Sequence, residues 1–294
     1  MNFEKGDLPS IPWVESPFFY ELLKDSALSE QDKEKCSFFH SNGYVILDLG
    51  ISDNVINSIN TEVEQTLLHG NFASQQKYEY TNHARLFELW KTCKNIKKIT
   101  SHPVLIESLR ILYGREPFPF STINFTNPTS QPLHSDTIHF NSYPKKWMVG
   151  VWIALEDCDK NNGTLRVVPG SHHWKEFTYQ DIGIPHPDTR ENGEKLSYRE
   201  YDRFIDKLVK AKTATVKSVP VKKGQAILWA SNLLHGGTPV EDPRVSRKSI
   251  AIHYFFEGCK EYYTPMFSEP MAGIYASKWC DENNNILTYS KGEK

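Results

Sequence analysis

The chain has 294 residues and a formal net charge of −2 at pH 7, with 34 lysines and arginines against 36 aspartates and glutamates. This balance argues against a basic nucleic-acid-binding surface, and an aromatic content of 13% excludes general disorder. The longest apolar run, residues 148–155, is far shorter than the roughly 20 residues of a membrane-spanning helix, so we expect no membrane anchor.

The amino-terminal segment, residues 1–10, lacks the basic and apolar regions of a signal peptide. The five cysteines are widely scattered and form no CxxC pair, which is typical of reduced thiols rather than of a disulfide framework. Both features favour a cytoplasmic protein.

The first third of the chain predicts helices with one strand. Ser29 is a suitable N-cap for a helix that Gly43 ends, and residues 44–47 follow as a strand. Ser52 is a suitable cap for a second helix, whose apolar residues repeat at helical spacing as far as Gly70. Further helical segments are predicted at residues 86–93 and 104–113.

After Pro117 the pattern changes to short β-rich runs that proline, glycine and asparagine turns separate. Several short strands at irregular spacing are typical of a sandwich or barrel, so we predict a mainly β fold with flanking helices. The predicted strands are residues 121–125, 147–155, 163–168, 213–219, 225–229 and 249–255.

No linker marks a domain boundary, so we predict one domain over residues 1–294. Its mostly helical part, 1–116, is expected to pack on a β core over residues 117–258. Residues 174–212 are polar and irregular, then helical from about residue 198, and are expected to be an insertion between strands. Such an insertion either carries a binding function or is a passive surface segment.

Two histidines and one aspartate form the first candidate site. His134 and Asp136 are two residues apart, so in an extended segment their side chains point to the same side. His235 precedes two glycines just after a predicted strand. Two histidines and a carboxylate form the facial triad that binds Fe(II) and leaves coordination positions open. The same donors suit catalytic zinc, so a zinc-dependent hydrolase and a non-catalytic metal-binding β-helix protein remain alternatives.

A candidate anion-binding residue follows. Arg247 lies 12 residues after His235, at the start of the last strong strand. Arginine forms bidentate hydrogen bonds with carboxylates, and a 2-oxo acid that chelates a metal leaves a distal carboxylate to be bound. Taken alone, the basic run 244–248 is also compatible with a solvated charged loop.

Four segments in this order resemble the phytanoyl-CoA dioxygenase family of Fe(II)- and 2-oxoglutarate-dependent oxygenases. The most specific is the NGTLRVVPGSH stretch, and the resemblance extends from about residue 38 to about residue 255. It implies a double-stranded β-helix core, the jelly-roll architecture of cupin-like proteins. The four segments are residues 134–136, 162–172, 235–237 and 247–249.

The resemblance also implies site residues. His134, Asp136 and His235 correspond to the iron ligands, which makes them the expected catalytic residues, and Fe(II), 2-oxoglutarate and O₂ are the expected cofactor and cosubstrates. Arg247 corresponds to the residue that binds the distal carboxylate of 2-oxoglutarate; the RKS context favours it over Arg244.

Two further residues are implied as cofactor-binding. Trp152 matches a tryptophan that lines the 2-oxoglutarate pocket in some relatives, although an ordinary core tryptophan is an equal alternative. Ser121 occupies a strand position that can touch the cosubstrate.

The expected reaction is hydroxylation of a small-molecule substrate, with succinate and CO₂ as coproducts. Related halogenases replace the iron-binding carboxylate with a small residue, and Asp136 is present here, which favours hydroxylation. We expect a small metabolite or natural-product intermediate, because no convincing basic groove for a CoA group is evident. The candidate specificity elements are residues 174–212, Thr137, His139, Phe140 and Tyr143.

Overall fold

The computed structural model describes residues 11–69, 85–184, 196–242, 244–268 and 270–276. Within these ranges the helices are α1 (Phe19–Lys24), α2 (Glu30–Asn42), α3 (Asp53–His69), α4 (Lys94–Ile99), α5 (Pro103–Tyr113) and α6 (Leu196–Ala211). The strands are β1 (Tyr44–Asp48), β2 (Arg85–Phe87), β3 (Pro117–Phe125), β4 (Asn141–Tyr143), β5 (Met148–Ala154), β6 (Leu165–Val167), β7 (Lys217–Val219), β8 (Gln225–Ala230), β9 (His235–Gly237), β10 (Ser249–Phe256) and β11 (Glu261–Tyr263).

Local signals explain the helix ends. The Ser29 hydroxyl accepts a hydrogen bond from the backbone N–H of Asp32 at 3.2 Å, which caps α2. Gly43 ends α2 with φ = 77°, a left-handed conformation that glycine adopts without strain. Pro103 opens α5 in the first turn, where its missing N–H costs no hydrogen bond.

The predicted helix at residues 86–93 is wrong. Residues Arg85–Phe87 form β2, which pairs antiparallel with β3, and a short 3₁₀ turn follows at Leu89–Lys91. Leu86 packs into the core and Phe87 lines a cavity on the opposite face, as the two-residue period of a strand requires. A short apolar run cannot distinguish a helix from a buried strand by periodicity. The strand predicted over residues 213–219 is confined to β7.

The strands form one large antiparallel sheet and two smaller sheets. The large sheet has the order β1-β8-β5-β10-β3-β2, and one of its faces packs on the helices α2 to α5. The small sheets have the orders β7-β6-β9 and β11-β4. Helices of the first third of the chain therefore cover the outer face of the large sheet.

A second core lies between the large sheet and the β7-β6-β9 sheet. Trp152, Ile227 and Ala251 of the large sheet pack there with Leu165 and Val219 of the small sheet. Two antiparallel sheets facing each other across an apolar core form the predicted jelly roll.

Helix α6 lies in the predicted insertion between β6 and β7. Tyr201, Ile205 and Val209 of α6 pack with Val168 and Leu234, so the helix buries its apolar face against the end of the small sheet. No helix in the described ranges combines the length and the apolar character that crossing a membrane requires.

Candidate metal and 2-oxoglutarate site

The structure brings His134, Asp136 and His235 together between the two sheets. Asp136 Oδ1 lies 3.8 Å from His134 Nε2 and 3.7 Å from His235 Nε2. One donor atom from each residue lies within 4.8 Å of the other two, and all three residues are buried. Among the described residues this is the group whose spacing suits a metal ion.

Backbone hydrogen bonds explain how two distant histidines meet. His134 and His235 form an antiparallel bridge, with the N–H of each donating to the carbonyl oxygen of the other at 2.9 and 3.0 Å. Adjacent positions on neighbouring strands place their side chains on one face, and the imidazole centroids are 4.4 Å apart.

The histidine rings are oriented through their other nitrogen. His134 Nδ1 lies 2.9 Å from the carbonyl oxygen of Pro132, and His235 Nδ1 lies 2.9 Å from that of Leu233. A carbonyl oxygen only accepts, so each Nδ1 carries a proton, and each Nε2 is the ring nitrogen that faces Asp136. Burial lowers the pKa of His134 to about 3, with the nearby His235 as a smaller cause, which keeps this imidazole neutral.

Asp136 is held in its charged form. Burial raises its pKa, but the neighbouring His235, His253 and His134 and the indole N–H of Trp229 together bring the pKa below the ordinary value. Trp229 Nε1 donates to Asp136 Oδ2 at 2.8 Å. The site therefore offers two imidazole nitrogens and one carboxylate oxygen, the donor set of a facial triad.

A cavity of about 140 Å³ adjoins the triad. Aromatic and aliphatic side chains from both sheets form most of its wall, and Gln131 and His139 add polar groups. Such a mostly apolar cavity with a few convergent polar groups is typical of a small-molecule site.

Arg247 lines the same cavity although it is only 1% exposed. Its Nη1 donates to the carbonyl oxygen of Gly163 and its Nη2 to the Thr129 hydroxyl, each at 3.3 Å, and its Nε has no hydrogen-bond partner. Burial lowers its pKa to about 10, which still leaves it charged at neutral pH. A buried guanidinium with an unused donor fits an anionic ligand.

Arg244, the other arginine considered, lies in a different environment. Its side chain is 87% exposed and pairs with Asp242 at 2.8 Å. The geometry therefore supports Arg247 rather than Arg244 as the anion-binding candidate.

The two weaker candidates differ in position. Trp152 lines the cavity, and the Arg247 guanidinium carbon lies 5.5 Å from its ring centroid. Ser121 is fully buried in β3 opposite His253, and its hydroxyl has no partner, but it is not part of the cavity wall that the described residues form. A cosubstrate contact of Ser121 stays a prediction.

The glycines after His235 have a steric role. A Cβ at position 237 would collide with the carbonyl oxygen of Thr129, and a Cβ at position 236 would lie 2.6 Å from that of Gln131. The segment that carries Thr129 and Gln131 to the cavity can approach β9 only where side chains are absent.

Sequence reasoning missed several residues of this site. Trp229 Nε1 donates to Asp136 Oδ2 at 2.8 Å, and His253 Nε2 lies 3.8 Å from the same oxygen. Gln131 Nε2 lies 3.1 Å from His134 Nε2. Trp229 and His253 lie on strands that flank β5, so only the strand register reveals their proximity. Gln131 precedes His134 by three residues, a spacing that carries no metal signal of its own.

The predicted specificity residues separate into two groups. His139 and Phe140 line the cavity, whereas the Thr137 hydroxyl is bonded to Ser135 and Tyr143 is half exposed in β4. The insertion contacts two residues of the cavity wall, Gln131 and His139, through the Tyr198 hydroxyl of α6.

Comparison with known proteins identifies the family. A model of the phytanoyl-CoA dioxygenase (PhyH) family matches residues 39–249. The chain belongs to this family. It is an Fe(II)- and 2-oxoglutarate-dependent oxygenase, as the four motifs predict.

Individual relatives agree with this assignment. This oxygenase is 22% identical to the peroxisomal phytanoyl-CoA dioxygenase of Rattus norvegicus over 82% of this chain and 72% of that protein. It is 24% identical to the ectoine dioxygenase of Nocardia farcinica over 74% and 75% of the two chains.

Solved structures confirm the jelly-roll fold of this oxygenase. EctD from S. alaskensis, in a crystal structure with 2-oxoglutarate and 5-hydroxyectoine, is 19% identical, with a TM-score of 0.61 over 84% of this chain and 81% of that one. The 2-oxoglutarate-dependent carbocyclase SnoK from nogalamycin biosynthesis is 16% identical, with a TM-score of 0.62 over 91% and 95%.

The residues of this oxygenase fit its cofactors. Two Nδ1-protonated histidines and a charged carboxylate are donors of the kind that suits Fe(II). Arg247 Nε, in the cavity wall, is a buried polar atom without a hydrogen-bond partner, and buried polar atoms of this kind require one. The carboxylate of 2-oxoglutarate supplies acceptors of the matching chemistry.

Proposed function

We propose that this oxygenase hydroxylates a C–H bond of a small metabolite or natural-product intermediate. In this proposal His134, Asp136 and His235 hold Fe(II), and Arg247 binds the distal carboxylate of 2-oxoglutarate, with Trp152 as part of the same pocket wall. The observation that carries the proposal is that the buried triad and the buried guanidinium of Arg247 line one cavity.

The protein's own residues supply position and environment. The Nδ1–H bonds to the Pro132 and Leu233 carbonyls hold both imidazoles in place, and the Trp229 bond holds the Asp136 carboxylate. Arg247 selects a ligand with a carboxylate and orients it along the cavity. The apolar wall limits water around the reacting groups.

When bound, Fe(II), 2-oxoglutarate and O₂ supply the oxidation: decarboxylation to succinate and CO₂ accounts for one oxygen atom and two electrons, and the second oxygen atom enters the substrate. The amino-acid side chains contribute no redox chemistry and no covalent step. Asp136 occupies the position that related halogenases leave to halide, which supports hydroxylation.

One observation favours an acyl-CoA as a second candidate substrate. A groove of about 730 Å³ between α6 and β6 is lined by Pro132 and Leu133, which precede His134, and by basic side chains. Phosphate groups bind at such positive surfaces, although two aspartates of α6 share the groove. The groove's basic residues are Arg166, Arg199, Arg203 and Lys210.

Succinate release tests the proposal. The protein is incubated with Fe(II), 2-oxoglutarate and O₂ and a panel of amino acids, cyclic amino-acid derivatives, polyketides and acyl-CoA thioesters, with His134→Ala in parallel. We expect one class to raise succinate release in the wild type alone, together with a product that has gained one oxygen atom. Tight zinc binding, with no succinate above the His134→Ala background for any compound, would contradict the proposal.

A further inference from the structure

The two oxygens of Asp136 have different surroundings. Oδ1 faces both ligand histidines, at 3.8 Å from His134 Nε2 and 3.7 Å from His235 Nε2. Oδ2 faces the other way and accepts the indole N–H of Trp229 at 2.8 Å. His253 Nε2 also lies on the Oδ2 side, at 3.8 Å, which is beyond hydrogen-bond distance.

We propose that Trp229 is a positioning residue that makes Asp136 bind the metal through Oδ1 alone. The proposal rests on the metal-binding role of the triad given above. It assigns to the Trp229 N–H the task of holding one carboxylate oxygen away from the metal, so that Asp136 fills a single coordination position.

Trp229 is suited to this task because its indole is buried and closely packed. The side chain is 3% exposed, and its ring centroid lies 4.6 Å from that of His235. On the neighbouring strand Gly150 is the register partner of Trp229, and a Cβ at position 150 would collide with the indole ring. The ring therefore lies in a slot that the glycine leaves open.

The energetics favour the single-oxygen arrangement. A buried carboxylate requires partners for both oxygens, and hydrogen bonds to a charged acceptor are stronger than those between neutral groups. Chelation through both oxygens would draw Oδ2 toward the metal and away from the indole N–H, and the hydrogen bond opposes that movement. A single carboxylate oxygen also keeps coordination positions open, which is the property that distinguishes the facial triad.

Metal affinity provides the first test. The free protein, without 2-oxoglutarate, is titrated with Mn(II) by calorimetry in three forms: wild type, Trp229→Phe and Trp90→Phe. Trp90 is a matched control, because it is 1% exposed and its indole N–H donates to another carboxylate, Glu88, at 2.9 Å. We expect roughly 10- to 100-fold weaker Mn(II) binding for Trp229→Phe and wild-type binding for Trp90→Phe.

A crystal structure of the wild type with Mn(II) provides the second test and needs no variant to fold. We expect the metal on Asp136 Oδ1, with Oδ2 still bonded to Trp229 Nε1. Coordination through both oxygens or through Oδ2, or equal Mn(II) affinity of a folded Trp229→Phe protein and the wild type, would overturn the role of Trp229. Failure of the wild type to bind Mn(II) at all would instead contradict the metal site itself.

Discussion

Arg247 illustrates how a single buried residue can favour ligand binding over stability. Its guanidinium is 1% exposed, and its hydrogen bonds go to a backbone carbonyl and a hydroxyl rather than to a carboxylate. A buried charge that lacks a counter-charge is costly, and replacing it with an apolar residue of similar size is often neutral or stabilising.

We predict that Arg247→Met separates binding from folding. The loss of the carboxylate partner is expected to weaken 2-oxoglutarate binding by about 2–5 kcal/mol, roughly 30-fold or more, without lowering the melting temperature of the ligand-free protein. Titration of the Mn(II)-loaded protein with 2-oxoglutarate measures the affinity. Thermal unfolding of the ligand-free protein measures its melting temperature. The exposed Arg244→Met is the control and should bind like the wild type. Equal 2-oxoglutarate affinity of Arg247→Met would contradict the assignment.

At the scale of elements, the insertion is attached to the core through the partly buried carboxylate of Glu176. Glu176 accepts a hydrogen bond from Asn141 Nδ2 of β4 at 2.7 Å, and the exposed Lys145 pairs with it at 3.2 Å. Burial raises the pKa of Glu176, and the attraction of Lys145 offsets this only in part.

The raised pKa has a defined consequence for stability. The folded protein holds this proton more tightly than the unfolded chain, so the contribution of Glu176 to folding falls as the pH rises above its ordinary pKa. We predict that Glu176→Gln, which keeps an acceptor for Asn141, unfolds at a higher temperature than the wild type near pH 8. The difference should shrink toward pH 4. Melting curves of both proteins from pH 4 to pH 8 test this prediction. A difference in melting temperature that grows as the pH falls would contradict it.

Helix α6 brings the insertion to the cavity residues. The Tyr198 hydroxyl lies 3.4 Å from Gln131 Nε2 and 3.5 Å from His139 Nε2, and both of these residues line the cavity. This contact supports a role in substrate selection rather than a passive insertion.

We predict that Tyr198→Phe raises the KM of the substrate found by the succinate screen several-fold, because the polar side of the cavity loses a group that orients Gln131 and His139. Mn(II) affinity should stay at the wild-type value, since the hydroxyl does not touch the triad. Steady-state kinetics and a metal titration measure the two effects. An unchanged KM would make α6 a structural insertion.

At the scale of the whole molecule, the sequence predicts what depends on short-range spacing. The two-residue spacing of His134 and Asp136 places both on one side of an extended segment, and Gly43 marks a helix end through its own backbone preference. His235 and Arg247 are candidates by their residue types and neighbours, and the resemblance links them to this pair, which no local pattern does. The single-domain prediction for residues 1–294 stays a prediction.

The features that sequence reasoning missed depend on sheet register. Trp229 of β8 and His253 of β10 both pair with Gly150 of β5, so the register brings these two side chains together beside Asp136 Oδ2. Strand β2 was predicted as a helix because its three residues become a strand only by pairing with β3. Strand order is a property of the whole sheet, which is why these contacts are invisible in a local window.

The central claim is that one cavity holds Fe(II) on the triad and 2-oxoglutarate beside it. The most direct test is the visible spectrum of the metal-free protein after Fe(II) and 2-oxoglutarate are added without oxygen, with His134→Ala recorded alongside. We predict a weak charge-transfer band in the wild type and none in the variant. The same band in both proteins, or no band in a wild type that binds zinc tightly instead, would contradict the account.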